Sequence, residues 1–296
     1  GGEAMSWAEA LGDGEILLLE NLRFHAEETS GDEDFGRQLA SLAEVYVNDA
    51  FGTCHRAHAS VAVVPRFLPH APGLLLEKEI LAFDRVLAKP ESPFVAILGG
   101  AKVSDKLPVI ESLLPKVDRL LIGGAMAYTF LKAQGLEVGK SLVEEDLLDE
   151  AARVVAHAKE QGKELLLPTD HVAAVRFAAD SPYEITGPGI PGELIGLDIG
   201  PASRKAYADA IHDARTVIWN GPMGVFEMAE FRRGTEAVAE AVADCEGYTV
   251  VGGGDSVAAV ELLKLQSRID HVSTGGGASL ELLEGKPLPG IAALQD

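Results

Sequence analysis

Lys102 and Lys106 stand four residues apart, directly after the pair Gly99–Gly100. On a helix that spacing puts both ammonium groups on one face, where they repel unless an anion lies between them. Phosphate oxygens suit such a pair; two solvated surface lysines are the plainer alternative. Asp255 follows Gly252–Gly254 at the start of a helix-like pattern. Glycine amides at a helix start attract phosphate, and an aspartate there repels it unless a cation intervenes. Mg²⁺ removes the conflict, since it is held by one or two carboxylates plus phosphate oxygens; the alternative is that Asp255 caps the helix through Ser256–Leu263. Gly275–Gly277 opens another helix with no acid in the turn, so a terminal or transferring phosphate fits against its N–H groups. Asn220 and Glu227 flank GPMGVF, where Asn can donate to phosphate and Glu can accept from ribose hydroxyls. Arg23 in NLRF and Arg56 between His55 and His58 complete the set. With an arginine between the histidines and no nearby carboxylate, an anion suits this stretch better than a metal, although surface or capping roles fit the spacing equally.

These residues sit in a repeated arrangement. Five times an apolar, strand-like run breaks into glycines and then into a helix-like pattern: Phe94–Lys106, Leu120–Phe130, Val217–Glu227, Thr249–Val260 and His271–Leu283. Buried parallel strands read as continuous apolar runs, and open α/β sheets bind ligands at the carboxyl ends of their strands. One phosphate-rich ligand along one sheet edge is the expectation. Elsewhere, residues 14–20 (GEILLLE) predict a strand, and 32–45 predict a helix capped by Asp32, with Phe35, Leu39, Leu42 and Val45 on one face. Glu44–Ala50 predicts a short strand, the proline-rich stretch PRFLPHAPG a loop or boundary, and 74–88 an amphipathic helix. Residues 144–161 predict a helix stopped by Gly162. KELLLP predicts a strand, and 172–200 a hairpin or loop. The glycine turns have no fixed period, so no solenoid is implied.

The 296 residues suggest two domains, and 47% hydrophobic residues suffice for sizeable cores. A boundary falls near 72–76: residues 1–72 form a first domain that is thin for an independent core, 73–89 an interdomain helix, and 90–296 a second domain. Lys and Arg number 25 against 46 Asp and Glu, a net charge of −21. That excludes non-specific binding to nucleic acid or anionic membranes, and local cations and helix N-termini must attract any phosphate. No apolar window is long enough to cross a membrane, and the acidic start GGEAMSWAEALGDGE is no secretory signal. Cys54 and Cys245 exclude a disulfide framework and a four-thiolate zinc site; reduced thiols in a cytoplasmic protein are expected.

Two signatures nearly appear. Gly135–Ser141 (GLEVGKS) has one residue too few for a Walker A loop and follows a helix. Gly187–Gly192 (GPGIPG) fits G-x-G-x-x-G literally, but Pro188 and Pro191 offer no N–H and no strand leads into it. An NAD-dependent dehydrogenase therefore fits the fold class without a proper fingerprint. No Ser-His-Asp or Cys-His arrangement is supported, and none is needed if phosphate passes directly between two substrates.

In order along the chain, NDAFGTCHRAHAS, AILGGAKVSDK, IGGAMAYTFLK, GLDIGP, WNGPMGVFE, VVGGGDS and HVSTGGGASLELLEG resemble the phosphoglycerate kinase family. The resemblance implies an α/β protein of two Rossmann-like parallel-sheet domains with helices on both faces, the N-terminal one incomplete in this sequence. It implies reversible phosphoryl transfer from 1,3-bisphosphoglycerate to ADP with Mg²⁺, giving 3-phosphoglycerate and ATP. The N-terminal domain would hold the phosphoglycerate and the C-terminal one the nucleotide, with hinge closure around the helix at 74–88 and the extreme C-terminus packing back on the first domain. A monomer is expected. By the same resemblance Lys102, Gly276 and Gly277 face the transferring phosphoryl group, and Lys106 and Asn220 meet nucleotide phosphates. Gly196 belongs to the adenosine pocket and Glu227 binds ribose. Gly253, Gly254, Asp255 and Ser256 form the phosphate–magnesium loop, with Asp255 on the metal, and Arg23 and Arg56 bind the phosphoglycerate. Ser256 replaces a threonine common in the family, keeping the hydroxyl, and Ala125 stands where a third glycine is frequent. The family's Asp-x-Asn, early arginine and His-x-x-Arg motifs have no match. The expectation for the chain as written is therefore nucleotide binding with impaired catalysis; a non-catalytic nucleotide-binding module is the competing reading.

Overall fold

The computed structural model describes residues 2–295. The chain divides into two compact units, 1–81 with 286–296, and 82–285.

The first unit holds α1 (Gly2–Glu9), α2 (Ala26–Ser30), α3 (Glu33–Ala40), β1 (Tyr46–Asn48), β2 (His70–Pro72) and the start of α4 (Leu74–Leu87). Asp32 caps α3 by accepting from the Phe35 N–H at 2.8 Å, but the helix ends at Ala40, five residues short of the apolar pattern, and Val45 is exposed. Residues 14–20 are not a strand. Their apolar run meets no partner ladder among the described strands, and Ile16 and Leu18 stand 92% and 90% exposed. Conversely, the proline-rich stretch contributes β2, paired in parallel with β1. Pro72 is tolerated there because β2 is an edge strand.

The second unit is built on a six-stranded sheet. Its strands are β3 (Phe94–Leu98), β4 (Arg119–Ile122), β5 (Glu164–Leu166), β9 (Thr216–Asn220), β10 (Tyr248–Gly252) and β11 (His271–Val272), in the order β11-β10-β9-β3-β4-β5 and parallel throughout. Between them run α5 (Leu107–Leu113), α6 (Met126–Ala133), α7 (Leu148–Glu160), α8 (Pro201–His212), α9 (Arg233–Asp244) and α10 (Gly254–Leu262), and α11 (Gly276–Leu283) follows β11. Val95, Ile97, Val217, Trp219 and Val251 pack with Tyr207, Ile211, Val238 and Val242 of α8 and α9. The alternate side chains Phe94, Ala96, Leu98 and Ile218 are equally buried, so the central strands are covered on both faces. That double burial is why these runs carry no polar alternation. Residues 172–200, read as hairpin or loop, form most of a second sheet. Here β6 (His171–Ala174) pairs antiparallel with β7 (Tyr183–Thr186) and β8 (Ile195–Ile199). The final helix α12 (Pro289–Ala292) belongs to the first unit, where the Gly290 N–H donates to the Cys54 carbonyl at 2.8 Å.

Candidate active site

Strands β3 and β9 are neighbours, yet the chain leaves β3 toward β4 and β5, and leaves β9 toward β10 and β11. The order reverses between them, and such a reversal opens a crevice at the strands' carboxyl ends. The first three glycine turns interlock there. Gly99 N–H donates to Asn220 O at 3.0 Å, Gly100 N–H to Pro222 O at 3.1 Å, and Gly124 N–H to Met223 O at 3.1 Å. The crossing is so close that a Cβ on Gly99 would lie 2.1 Å from Pro222 O, while Gly221 holds φ +100. Only glycine meets both demands.

The expected glycine-to-helix sequence holds for three turns, where α6, α10 and α11 start within four residues of their strands. It fails for two. After Gly99–Gly100 the helix is delayed to Leu107, because Val103 is driven into the core and Pro108 sets the first helical turn. Lys102 and Lys106 therefore lie on an irregular loop and share no helix face. After Gly221 the chain makes a loop and a short 3₁₀ turn before α9 at Arg233.

Two adjoining cavities line this edge. One, of about 300 Å³, is an apolar slot walled by Gly124, Leu142, Phe177, Gly196, Leu197 and Val225, with Glu227 exposed at its rim. The other, of about 600 Å³, is a polar trough holding Lys102, Lys106, Asn220, Gly253, Gly254, Asp255, Ser256, Gly276 and Gly277. Gly100, Ala101, Pro222 and Asp255 belong to both. All five glycine turns thus contribute to one cleft.

Within the trough, Lys106 Nζ donates to Asn220 Oδ1. Burial pushes the Lys106 pKa down, against the opposing charges of Asp105, Asp255 and Glu284. Asn220 Nδ2 is buried with no partner among the described residues. An orphaned amide donor is costly unless a ligand or water accepts from it. Gly253, at φ +91, leaves that donor uncovered: a Cβ there would sit 2.8 Å from Nδ2. The first turns of α10 and α11 lie side by side, with Gly254 N 3.8 Å from where a Gly276 Cβ would stand. Two helix N-termini therefore point bare N–H groups into one space. Asp255 is in the first turn of α10 but caps nothing; its exposed carboxylate has no hydrogen bond or ion pair among the described residues. Ser256 is buried in the same turn, and its hydroxyl accepts from Gly221 N–H, tying two loops together while its own O–H remains to donate.

Lys102 is exposed over the trough, without a hydrogen-bond or ion-pair partner among the described residues. Its loop is latched by Glu144, which accepts from Ser104 N–H at 3.1 Å and Ser104 Oγ–H at 2.6 Å. Burial acts to raise the Glu144 pKa, but the Ser104 bonds and the Lys102 charge outweigh it and hold the carboxyl below its ordinary value. Nothing in the sequence marks Glu144.

Asp198 was not singled out from the sequence, although a carboxylate inside the apolar run IGLDIG is its signal. It is 1% exposed and accepts from Gly234 N–H, in the first turn of α9, at 2.7 Å. A Cβ on Gly224 would lie 2.3 Å from its Oδ1, so the loop carrying Glu227 is seated against it. Burial pushes its pKa up to about 7. The folded state therefore prefers the protonated acid. That contribution to stability is complete below about pH 4 and lost as pH rises through about 7, a change on the order of 4 kcal/mol. Asp198→Asn is expected to remove it: in urea titrations the unsubstituted protein loses stability relative to the variant between pH 4.5 and 7.5. Parallel pH profiles would contradict the assignment.

In the first unit, Arg23 sits in a 3₁₀ turn set by Asn21, whose Oδ1 accepts from Arg23 N–H at 3.0 Å. Arg23 lines a cavity of about 280 Å³ with Asn48, Thr53 and His58; Arg56 is exposed outside its wall. His58 is not free for an anion, because its Nδ1 lies 3.6 Å from buried Glu28, which also accepts from Ser60 N–H and Oγ–H. Burial lowers the His58 pKa, opposed by Glu28 and aided by Arg23, Arg56 and His55.

A doubly covered parallel sheet with an anion trough beside an apolar slot at its switch point defines a nucleotide-phosphate-binding α/β protein. The family model described as phosphoglycerate kinase matches residues 1–286. The chain belongs to the phosphoglycerate kinase family. It is 59% identical to the phosphoglycerate kinase of Moorella thermoacetica over 100% of this chain and 76% of that protein. To the cytosolic phosphoglycerate kinase of Triticum aestivum it is 55% identical, over 100% and 75%. Among solved structures, the phosphoglycerate kinase of Coxiella burnetii superposes with a TM-score of 0.92 at 41% identity, covering 98% of this chain and 75% of that one. That of Pyrococcus horikoshii gives 0.89 at 34%, covering 100% and 76%.

Proposed function

We propose that this chain transfers a phosphoryl group reversibly between the acyl phosphate of 1,3-bisphosphoglycerate and ADP, giving 3-phosphoglycerate and ATP. The observation that supports it most is the orphaned Asn220 amide beside Lys106 and two converging helix N-termini, in a trough continuous with an apolar slot. The slot takes the base, Glu227 at its rim the ribose hydroxyls, and the trough the phosphates. Arg23 and Arg56 of the first unit take the phosphoglycerate.

Phosphoryl transfer asks mainly for positioning and for neutralising charge on the moving group. Lys106, Asn220 and the α10 amides fix the diphosphate. Lys102 and the amides of Gly276 and Gly277 face the oxygens of the group in transit. The residues fit Mg²⁺: Asp255 offers one unpartnered carboxylate next to the phosphate position. No cluster of three or more His, Cys, Asp or Glu among the described residues could cage a metal unaided, which suits an ion held largely by phosphate and water. Bound there, it supplies neutralisation of phosphate charge.

A monomer in the cytoplasm completes the reading, as the family resemblance implies; Cys54 and Cys245 are free thiols, and no described helix is long and apolar enough to cross a membrane. The literal G-x-G-x-x-G at Gly187–Gly192 lines neither cavity, so nothing favours a dinucleotide. Calorimetry with MgADP and with NAD, beside an assay of ATP formation from 1,3-bisphosphoglycerate, tests the proposal. Micromolar MgADP binding is expected, with ATP formation at a reduced rate; NAD binding in its place would overturn the proposal, and MgADP binding without any turnover would favour a pure nucleotide module.

A further inference from the structure

The apolar slot contains one neutral polar side chain among its described lining residues, Tyr128 of α6. The residue is 3% exposed, yet its hydroxyl has no hydrogen-bond partner among the described residues. The hydroxyl itself keeps some accessible surface on the slot, so water can partner it until a ligand acceptor takes that place. The hydroxyl occupies the space a side chain at position 196 would fill: a Cβ on Gly196 would lie 2.2 Å from Oη. Position 196 is therefore glycine so that the tyrosine tip can reach the slot wall. The ring is held from behind by His171, fully buried, with centroids 5.5 Å apart and planes at 59°. Burial, with Asp198 nearby, pushes the phenol far above its ordinary pKa, so it keeps its proton at every working pH. A fixed donor thus faces an otherwise apolar slot whose charged groups, Glu227 and Asp255, are both acceptors.

We propose that Tyr128 is a base-selecting residue, its hydroxyl donating a hydrogen bond to a ring nitrogen of the purine. Such nitrogens are acceptors in the plane of a flat, apolar ring, which is what this slot can take. The hydroxyl then contributes to nucleotide choice without touching the phosphates or the transferring group. This rests on the slot being the base site.

The test is a binding cycle on the whole chain. Calorimetry compares MgADP, its 1-deaza, 3-deaza and 7-deaza analogues, and Mg²⁺ with ribose 5-diphosphate, on the unsubstituted protein and on Tyr128→Phe. The expected result is that Tyr128→Phe weakens MgADP about 3- to 10-fold. One deaza analogue should bind the unsubstituted protein weaker by a similar factor and lose nothing further on Tyr128→Phe. Equal MgADP affinity in both proteins, or the same loss for all three analogues, overturns the proposal. Should Tyr128→Phe fail to fold, the unsubstituted protein still decides, since equal binding of MgADP and all three analogues also overturns it. Ribose 5-diphosphate separates the two readings. If it binds as tightly as MgADP, the base-site assignment itself is wrong; if MgADP binds tighter but Tyr128→Phe is silent, only the role of Tyr128 falls.

Discussion

Lys102→Ala lowers phosphoryl-transfer turnover by about 10²–10³-fold, the usual effect of removing one transition-state donor, and leaves MgADP affinity within about 3-fold. The two lysines after Gly99–Gly100 are not equivalent. Lys106 is half-buried and already donates to Asn220, so it belongs to the resting diphosphate site. Lys102 is exposed over the same trough with no hydrogen bond or ion pair among the described residues, only the more distant charge of Glu144 near it, on a loop latched through Ser104 to Glu144. Its charge is therefore available to the group in transit, where stabilisation raises turnover more than affinity. Steady-state kinetics beside calorimetry checks this. Unchanged turnover, or affinity and turnover falling by the same factor, would contradict the division of labour.

Asp255→Asn removes the magnesium dependence of nucleotide binding. MgADP affinity is expected to fall by about tenfold or more, while metal-free ADP binds as well as before or better, because the carboxylate no longer repels phosphate. The geometry gives this prediction its sign. A carboxylate in the first turn of α10, with no cap, hydrogen bond or ion pair among the described residues, opposes anion binding unless a cation stands beside it. Its favourable interaction with the helix dipole is worth only about 0.5 kcal/mol, so folding should hardly change. ADP titrations with and without Mg²⁺ measure it. An identical magnesium response in variant and parent would remove Asp255 from the metal.

The sheet was legible because its strands are buried on both faces. FVAIL and TVIWN are unbroken apolar runs for that reason, and they proved to be β3 and β9, side by side at the switch point. The glycine turns gave the cleft. What was hidden was set by contacts distant in sequence. GEILLLE has strand composition but no ladder. HAP, unpromising with its proline, pairs with β1. The helical spacing of Lys102 and Lys106 misled because Val103 between them is buried and Pro108 fixes where α5 begins. His58 looked free for an anion; buried Glu28 stands beside it. Glu144 and Tyr128 left no signal in their own sequence, since each matters through a neighbour the fold supplies.

A crystal structure of this protein with MgADP tests the placement of the nucleotide directly. The β-phosphate should lie within about 3 Å of Lys106 Nζ and Asn220 Nδ2, against the first-turn amides of α10, with the metal on Asp255 and the adenine in the slot beside Gly196. Phosphates found outside the trough between α10, α11 and the loop 99–106 would contradict it.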